Sequence, residues 1–449
     1  MCRSAFLLLM YFLIAVQITA QQAFTLNEAM GYAQEHHNDV KTALLDVSDA
    51  SGNIREYLSI GLPQLNASAN YQHYFDIPTT IIPKGSFFEG DTDLGIDPNP
   101  LQDLKVQFGF RNNLNAGIEF STLLFDGAFF VGLKATRMFK EMVNQQVDIT
   151  KSDLNVNVAK SYLAVLVAEK NQEVLQRNIT NLEKLVSETK EIFETGFAEK
   201  LDVDRLELSL ANLQVEYENV ANLIELSENM LKFQMGYPMG QPITLAQDLD
   251  DLLLSEYDLE TVKGMTVNYS DRPEYRVLQT TEMLNEINVK QLQMQYVPTI
   301  KGIASYSQIL QNDNLREGEW FPTTLVGLAL EVPIFDGFEK SAKIQRAKVG
   351  LEKHRIRMDN LERAIGLELL NAKVNFQNTL KRVQNTRENL ELAERIYQTT
   401  QLKYREGVGS SLEVSTAERD VYSVQSDYIG VLYDLLIAKV DLDKAIGKL

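Results

Sequence analysis

Residues 406–414 read EGVGSSLEV and separate two long runs of heptad-spaced residues. Before this segment, large residues recur every seven positions, at Leu369, Phe376, Val383, Leu390, Tyr397 and Tyr404. After it, apolar steps of three and four residues continue from Val414 to Leu442. A period of 3.5 residues held this long predicts two coiled-coil helices joined as a hairpin. The run that begins at Asp336 has about 70 residues, which gives ~100 Å at 1.5 Å per residue and exceeds a compact domain.

The same pattern occurs earlier in the chain, so the sequence is internally duplicated. Two long hairpins are predicted: 127–235 with its tip near 196–203, and 336–446 with its tip near 407–414. Before each hairpin stands the same tripeptide, Phe125-Asp126-Gly127 and Phe335-Asp336-Gly337. At the tips, Leu412-Glu413-Val414 repeats Leu201-Asp202-Val203. The registered matches predict two structural repeats with the same order of elements.

Four segments alternate apolar and polar residues and are predicted to be strands: 64–75, 106–125, 299–310 and 322–335. The second includes a run of about 19 residues from Val106 to Leu124. Ten to a dozen tilted residues cross a bilayer, so strands with one apolar and one polar face favour the wall of a membrane β-barrel. Four strands cannot close a barrel and would leave two edges in lipid. Two copies give eight strands and three give twelve, so the sequence predicts an obligate homo-oligomer.

The remaining sequence completes this division of the chain. Residues 1–20 are predicted to be a signal peptide, cleaved before Gln21, although a membrane-anchoring helix is the alternative interpretation. The predicted parts are a first repeat (21–235) opening with a helix, a linker segment (236–271) and a second repeat (272–449) that also opens with a helix. The only cysteine, Cys2, lies in the signal peptide, so the mature chain is expected to lack disulfides and thiolates.

Composition and motifs exclude several classes of function. A formal charge of −19 opposes binding to nucleic acid. The four histidines, His36, His37, His73 and His354, lack metal-ligand spacing. The chain has no phosphate-binding loop and no credible catalytic triad, so we expect neither an enzyme nor a cofactor. After residue 20, no apolar run is long enough to predict a transmembrane helix.

The duplicated architecture, the two Phe-Asp-Gly junctions, the prolines that enter strands (Pro63 and Pro298) and the two glycine-containing tips together resemble the TolC-like outer-membrane efflux protein family. The resemblance covers essentially the whole mature chain. It implies a homotrimer with a twelve-stranded barrel in the outer membrane of a Gram-negative bacterium and a long α-helical coiled-coil barrel in the periplasm. It also implies three kinds of partner: outer-membrane lipid, a periplasmic adaptor (membrane fusion protein) and an inner-membrane transporter, for which a proton-driven pump is our first choice.

The resemblance also assigns roles to residues at the tips. An acidic residue lines the closed periplasmic aperture in the family, which corresponds to Glu413 here and to Asp202 in the first tip. Thr416 stands where a second acid is common, and Gly409 where a basic latch residue is common. The residues implied as adaptor contacts are Gly196, Phe197, Leu201, Val203, Gly407, Val408, Leu412 and Val414.

Simpler structural roles are open for several of these residues. Asp202 and Glu413 are alternatively ordinary acids in the first turn of a helix, where the helix dipole favours them. Asp126 and Asp336 are predicted to cap helix N-termini. Gly196 and Gly407 are predicted to be left-handed helix ends.

The leading hypothesis for the function is the exit channel of a tripartite efflux system that carries small toxic compounds. Type I protein secretion is the alternative within the class, and metal export comes third. The rival from another class is a periplasmic coiled-coil scaffold, which would have no use for lipid-facing strands.

Overall fold

A computed structural model describes residues 23–83, 104–253 and 259–449. The predicted signal peptide, residues 1–20, lies outside the described residues. Within the described ranges, none of the helices is both long and apolar enough to cross a membrane.

The described helices are dominated by two long antiparallel pairs. In chain order they are α1 (Leu26–His36), α2 (Asn38–Ser59), α3 (Gly127–Glu194), α4 (Lys200–Met235), α5 (Leu249–Leu253), α6 (Leu259–Gly264), α7 (Pro273–Met294), α8 (Glu339–Arg405) and α9 (Ser411–Ala445). Helices α3 and α8 have 68 and 67 residues, as the heptad runs predict. Each is followed, after a five-residue loop, by a return helix, α4 or α9. The helical segment predicted near residues 24–60 is two helices, because His37 has an extended backbone conformation between them.

The described strands form one four-stranded sheet and two smaller pairs. They are β1 (Ala23–Phe24), β2 (Gln64–His73), β3 (Thr79–Ile82), β4 (Leu104–Gln107), β5 (Asn112–Phe125), β6 (Thr244–Leu245), β7 (Thr299–Asn312) and β8 (Trp320–Glu331). The large sheet has the order β2-β5-β7-β8, and every neighbouring pair is antiparallel. Its central pair joins β5 from the first sequence repeat to β7 from the second.

The register of the sheet gathers the apolar residues on one face. Leu65 pairs with Phe120, Phe120 with Ala304, and Ala304 with Val326 across all four strands. The adjacent row consists of Asn66, Glu119, Ser305 and Leu325. Alternation in the separate strands therefore becomes one continuous apolar face, and on it Val326 is 82% exposed. The opposite face is mixed: polar residues share it with Ile303 and Ile309 on β7 and with Leu325 on the edge strand β8.

The long alternating run predicted as one strand is interrupted in the structure. Strand β4 ends at Gln107 and β5 begins at Asn112, and between them Gly109 has a φ of +129°, a conformation that strongly favours glycine. The facing segment contains Pro78, which has no N–H to donate to a ladder. The hairpin resumes beyond this break, because β3 pairs with β4 from Thr79↔Gln107 to Ile82↔Leu104.

The last strand is shifted toward the N-terminus relative to its prediction. It covers Trp320–Glu331 rather than 322–335. Pro333 lies just beyond this end and lacks the N–H needed to continue a ladder, which accounts for the termination. Strand β2 ends at His73 rather than at residue 75, and β7 extends to Asn312 rather than stopping at residue 310.

The chain divides into two compact units that do not coincide with the two repeats. One unit comprises the described residues up to Asp49, Lys140–Glu282 and Lys353–Leu449; the other comprises Ala50–Phe139 and Met283–Glu352. Each unit contains parts of both repeats, since paired strands and paired helices come from both halves of the sequence. The division of the sequence into two repeats joined by a linker at 236–271 therefore stays a prediction.

The core of the first unit extends along the helices and includes part of the segment predicted as a linker. Thr244 and Leu245 of β6 pair in parallel with β1, and the buried Tyr162 hydroxyl donates to the Phe24 carbonyl oxygen at 2.9 Å. A second cluster packs α3 and α4 around Leu182, Leu206 and Val414. This second cluster lies directly behind the helical tips.

Candidate functional site at the helical tips

The two tips have the same backbone geometry. Gly196 and Gly407 have φ values of +83° and +73°, which confirms the predicted left-handed helix ends. The next N–H in each loop, of Phe197 or Val408, donates to the carbonyl oxygen five residues earlier at 3.0 Å. The glycine N–H donates to the oxygen three residues earlier, at 2.9 Å and 3.0 Å. These bonds satisfy the last carbonyls of α3 and α8 and turn the chain sharply outward.

This turn exposes an apolar side chain at each tip. Phe197 is 87% exposed and Val408 is 78% exposed. Leu201 and Leu412 are equivalent in the two repeats, and each is about half exposed. Large apolar side chains so open to solvent, in matching positions, are typical of a surface that meets another protein.

Two of the predicted docking residues are placed differently. Val203 and Val414 are buried, and Val414 is part of the cluster behind the tips. They point inward because each lies two residues beyond an exposed leucine, on the opposite side of its helix. In this conformation both valines pack inside the tip rather than on its surface, and their contact with an adaptor stays a prediction.

Asp202 links one tip to the other. Its Oδ2 accepts a hydrogen bond from the Glu199 backbone N–H at 3.1 Å, which caps the start of α4. Its Oδ1 accepts a hydrogen bond from the hydroxyl of Ser411, at the start of α9. Arg205 Nη1 donates to the same hydroxyl oxygen at 3.4 Å. Ser411 is buried, so the first predicted aperture acid is engaged in a bond between the two hairpins.

Glu413 has different surroundings. Its backbone N–H donates to the Ser410 hydroxyl oxygen at 3.3 Å, which caps α9, while its side chain is exposed. A negative charge in the first helical turn is favoured by the helix dipole. Of the two predicted acids, Glu413 is therefore the one whose carboxylate is open to solvent, and its place in an aperture remains a prediction.

Glu418 was missed by the sequence reasoning. It is 0% exposed, one turn after Val414 on α9, and it accepts hydrogen bonds from Ser209 and Tyr422. The signal was available, because Glu418 stands four residues after Val414 and three before Val421, both of which are core positions. An acid at that spacing lies on the buried face of the helix.

The two Phe-Asp-Gly junctions differ in structure. Asp126 Oδ1 accepts from the backbone N–H groups of Ala128 at 2.7 Å and Phe129 at 3.2 Å, which confirms its predicted role as an N-cap. Asp336 Oδ2 instead accepts from both the backbone N–H and the Nζ of Lys340, at 3.3 Å and 2.9 Å.

The backbone explains this difference. Gly337 and Phe338 both have positive φ, +64° and +69°, so α8 begins two residues later than the sequence repeat predicts, at Glu339. Because positive φ is uncommon for a residue with a side chain, the second junction is the more strained of the two. The repeat in the sequence is therefore not an exact repeat in the structure.

No group of three or more potential metal ligands is present within the described parts of the chain. His354 is buried, and its Nε2 lies 2.8 Å from the Leu278 carbonyl oxygen. Its surroundings are those of a structural histidine.

Both the sequence and the fold of this chain are similar to those of known outer-membrane and secretion proteins. A family model described as outer membrane efflux protein matches residues 271–448. The outer membrane protein TolC of Vibrio cholerae is 22% identical over 348 residues, which are 75% of this chain and 77% of that protein. The proteases secretion protein PrtF of Dickeya chrysanthemi is 20% identical over 314 residues, 69% of this chain and 67% of that protein. The open-state crystal structure of the Neisseria gonorrhoeae MtrE outer membrane channel has a TM-score of 0.71 at 18% identity, covering 94% of this chain and 88% of that one.

Proposed function

We propose that this chain, a TolC-like outer-membrane efflux protein, is one of three identical subunits that form the exit channel of a tripartite efflux system. The channel would pass small toxic compounds that an inner-membrane pump and a periplasmic adaptor deliver to it. Transport energy would come from the pump, for which we favour a proton-driven transporter. The observation that carries the proposal is the four-stranded sheet with a continuous, exposed apolar face.

The edges of this sheet support assembly from several copies. Strands β2 and β8 are the two edges, and three successive antiparallel pairings make them run in opposite directions. If β8 of one subunit pairs with β2 of the next, the antiparallel pattern continues without a break. Three copies then form a closed wall of twelve strands, in which the apolar face meets lipid and no backbone edge is left unpaired.

A second exposed surface lies along α4. Its exposed apolar residues recur mostly at helical spacing: Leu201, Leu208, Val215, Leu223, Leu226, Met230 and Phe233. Leu201, Leu208 and Val215 are seven residues apart, which is the repeat of a coiled-coil seam. From Leu208 to Phe233 this stripe would pack against a neighbouring subunit, and its burial would add to the stability of the trimer, whereas Leu201 at the tip would stay available to the adaptor.

The tips would be the end of the channel that meets the adaptor. Phe197, Leu201, Val408 and Leu412 provide exposed apolar contacts, and the left-handed glycines Gly196 and Gly407 permit a close approach of backbone. Glu413, whose carboxylate is exposed beside them, would line the aperture with its copies in the other two subunits. Asp202 would act indirectly, by fixing one tip against the other.

Type I protein secretion is the second candidate, because one of the similar proteins is named for the secretion of proteases. The two functions differ in what must pass through the channel. They can be separated in a strain that lacks its own exit channel, by measuring both resistance to small toxic compounds and export of a secreted protease when this chain is expressed with its cognate adaptor and pump.

The channel itself is tested on purified protein. We expect a heat-modifiable trimer in the outer-membrane fraction, which releases monomers only on boiling, and single-channel currents in planar lipid bilayers. A mature protein that is soluble without detergent, or a membrane fraction that carries no current, would exclude the channel and favour the scaffold. Restored resistance without protease export supports efflux, and the reverse result supports secretion.

A further inference from the structure

A carboxyl group is buried between α4, α8 and α9, directly behind the tips. Glu418 of α9 is 0% exposed. Its Oε1 accepts a hydrogen bond from the Tyr422 hydroxyl at 2.6 Å, and its Oε2 accepts one from the Ser209 hydroxyl on α4 at 3.2 Å. The equivalent acid of the first repeat, Glu207, pairs with Lys190 at 2.6 Å in a partly exposed position. The buried carboxyl is thus a feature of one hairpin only.

The groups around Glu418 are neutral hydroxyls rather than cations. Tyr397 of α8 is close enough for the charge of Glu418 to affect it, and its hydroxyl is buried without a hydrogen-bond partner. Burial raises the pKa of Glu418, and burial together with the charge of Glu418 raises the pKa of Tyr397 to about 12.

The nearby cations are engaged elsewhere. Arg405 of α8 acts electrostatically on Tyr397, but its Nε donates to Glu188 of α3 at 2.9 Å. Arg205 of α4 donates to Ser411, which in turn donates to Asp202. A carboxylate at position 418 would therefore be desolvated without an ion-pair partner, which disfavours its charged form.

We propose that Glu418 is a proton-binding site that couples the packing of the two tips to pH. The proposal rests on the channel function inferred above, with the packed tips as the closed state. The hydrogen-bonding and electrostatic neighbours of the carboxyl come from α4, α8 and α9, so α9 cannot separate from α4 without admitting water to it. Burial in the packed state favours the protonated carboxyl of Glu418; once the group is hydrated, it releases its proton to water more readily and a carboxylate remains.

The direction of the effect follows from linkage. The packed state binds the proton more tightly than the separated state, so acid stabilises packed tips. As the pH rises above the ordinary range of a glutamate, about 4.3, the separated state increasingly gains from ionisation. Above the raised pKa that Glu418 has in the packed state, the carboxyl is ionised in both states, and a further rise in pH no longer favours the separated state. Opening of the tips is therefore favoured by neutral pH and opposed by acid.

The test compares Glu418→Gln with the wild type in planar bilayers between about pH 5 and pH 8. Glutamine keeps the shape: its Oε1 can accept from the Tyr422 hydroxyl and its Nε2 can donate to the Ser209 hydroxyl oxygen, but it cannot titrate. We expect the open probability of the wild type to rise at least about tenfold over this range, and that of Glu418→Gln to change by about twofold or less. The matched control is Asp420→Asn, an exposed carboxyl on the same helix, which should keep the wild-type profile.

A second measurement does not depend on current. The thermal unfolding midpoint of the detergent-solubilised protein should fall from about pH 5 to pH 8 more steeply in the wild type and Asp420→Asn than in Glu418→Gln. If all three proteins give the same pH profiles in both measurements, Glu418 is not the proton site. If the wild type carries no current at any pH, the channel function fails, while the unfolding profiles still decide whether Glu418 takes up a proton.

Discussion

The carboxylate of Asp202 accepts a hydrogen bond from the hydroxyl of Ser411, and this bond joins the first helical tip to the second. The two residues are 209 positions apart in the chain. Each lies within the first turn of its own return helix, so the bond ties the starts of α4 and α9 together. The aspartate that the resemblance assigns to the aperture is thereby part of the structure that keeps the tips packed.

Replacing Ser411 with alanine should loosen the tips. The change removes the hydrogen bond to Asp202 and leaves that carboxylate with one fewer donor, at a cost of about 1–3 kcal/mol. We expect a larger mean current in planar bilayers and a lower thermal midpoint. Thr399→Ala is the matched control, because that exposed hydroxyl donates only within its own helix, to the Arg395 carbonyl oxygen at 2.8 Å. Equal currents for Ser411→Ala and the control would show that the hydrogen bond between Asp202 and Ser411 does not help to close the channel.

Replacing Glu413 with glutamine tests the predicted aperture. A ring of three exposed carboxylates attracts cations at low ionic strength, where screening is weak. We therefore expect Glu413→Gln to reduce cation selectivity and to alter the current at low salt, with little effect above about 1 M salt. Reversal potentials in a salt gradient measure this directly. Asp427→Asn, which changes another exposed acid on α9, serves as the control. If the Glu413→Gln channel has the same cation selectivity as this control, Glu413 lies outside the aperture.

Replacing Phe197 and Val408 together with serine should weaken docking to the adaptor. Both side chains are exposed and apolar, so their loss should leave folding, trimer formation and single-channel current unchanged. Affinity for the purified adaptor should fall at least about tenfold, since burial of each side chain contributes roughly 1.5–3 kcal/mol. Phe197→Leu keeps an apolar contact and should bind nearly as the wild type does. Unchanged adaptor binding by the double serine variant would show that the docking surface does not include these two residues.

Replacing Gly117 with valine should disturb the joint between the two repeats. A Cβ at this position would lie 2.8 Å from the Ser307 Cβ and from the Tyr306 carbonyl oxygen on the paired strand β7. Such overpacking costs about 1–3 kcal/mol, and we expect a marked loss of heat-modifiable trimer from the outer membrane. Gly327→Ala is the matched control on β8, because its nearest neighbour would be Ile303 at 3.5 Å. Normal yields of the Gly117→Val trimer would show that β5 and β7 do not need this close approach.

Much of the fold follows from local patterns in the sequence. The heptads predict the long helices, and the alternation of Leu65, Phe120, Ala304 and Val326 predicts which face of each strand is apolar. The glycines at 196 and 407 predict the turns at the tips. These features depend on residues close together in the chain, whose spacing determines which side of a helix or strand they occupy.

The interruption of the long alternating run was less predictable. Alternation continues from Val106 through Phe110, so the periodicity alone indicates an unbroken strand. The break depends on the positive φ of Gly109 and on Pro78 in the facing segment, and thus on two parts of the chain. Similarly, the repeated Phe-Asp-Gly tripeptide does not reveal that Phe338 adopts a positive φ in one copy only.

The sequence by itself determined the duplication, the long helices, the amphipathic strands and the conformation of the tips, because each is encoded by local spacing and by glycine. Only the tertiary structure decided that β5 pairs with β7, that Asp202 bonds to Ser411 and that Ser209 of α4 donates to the buried Glu418. These properties arise where segments about 200 residues apart meet. The alignment of these segments is set by the packing of whole helices and strands rather than by any single motif.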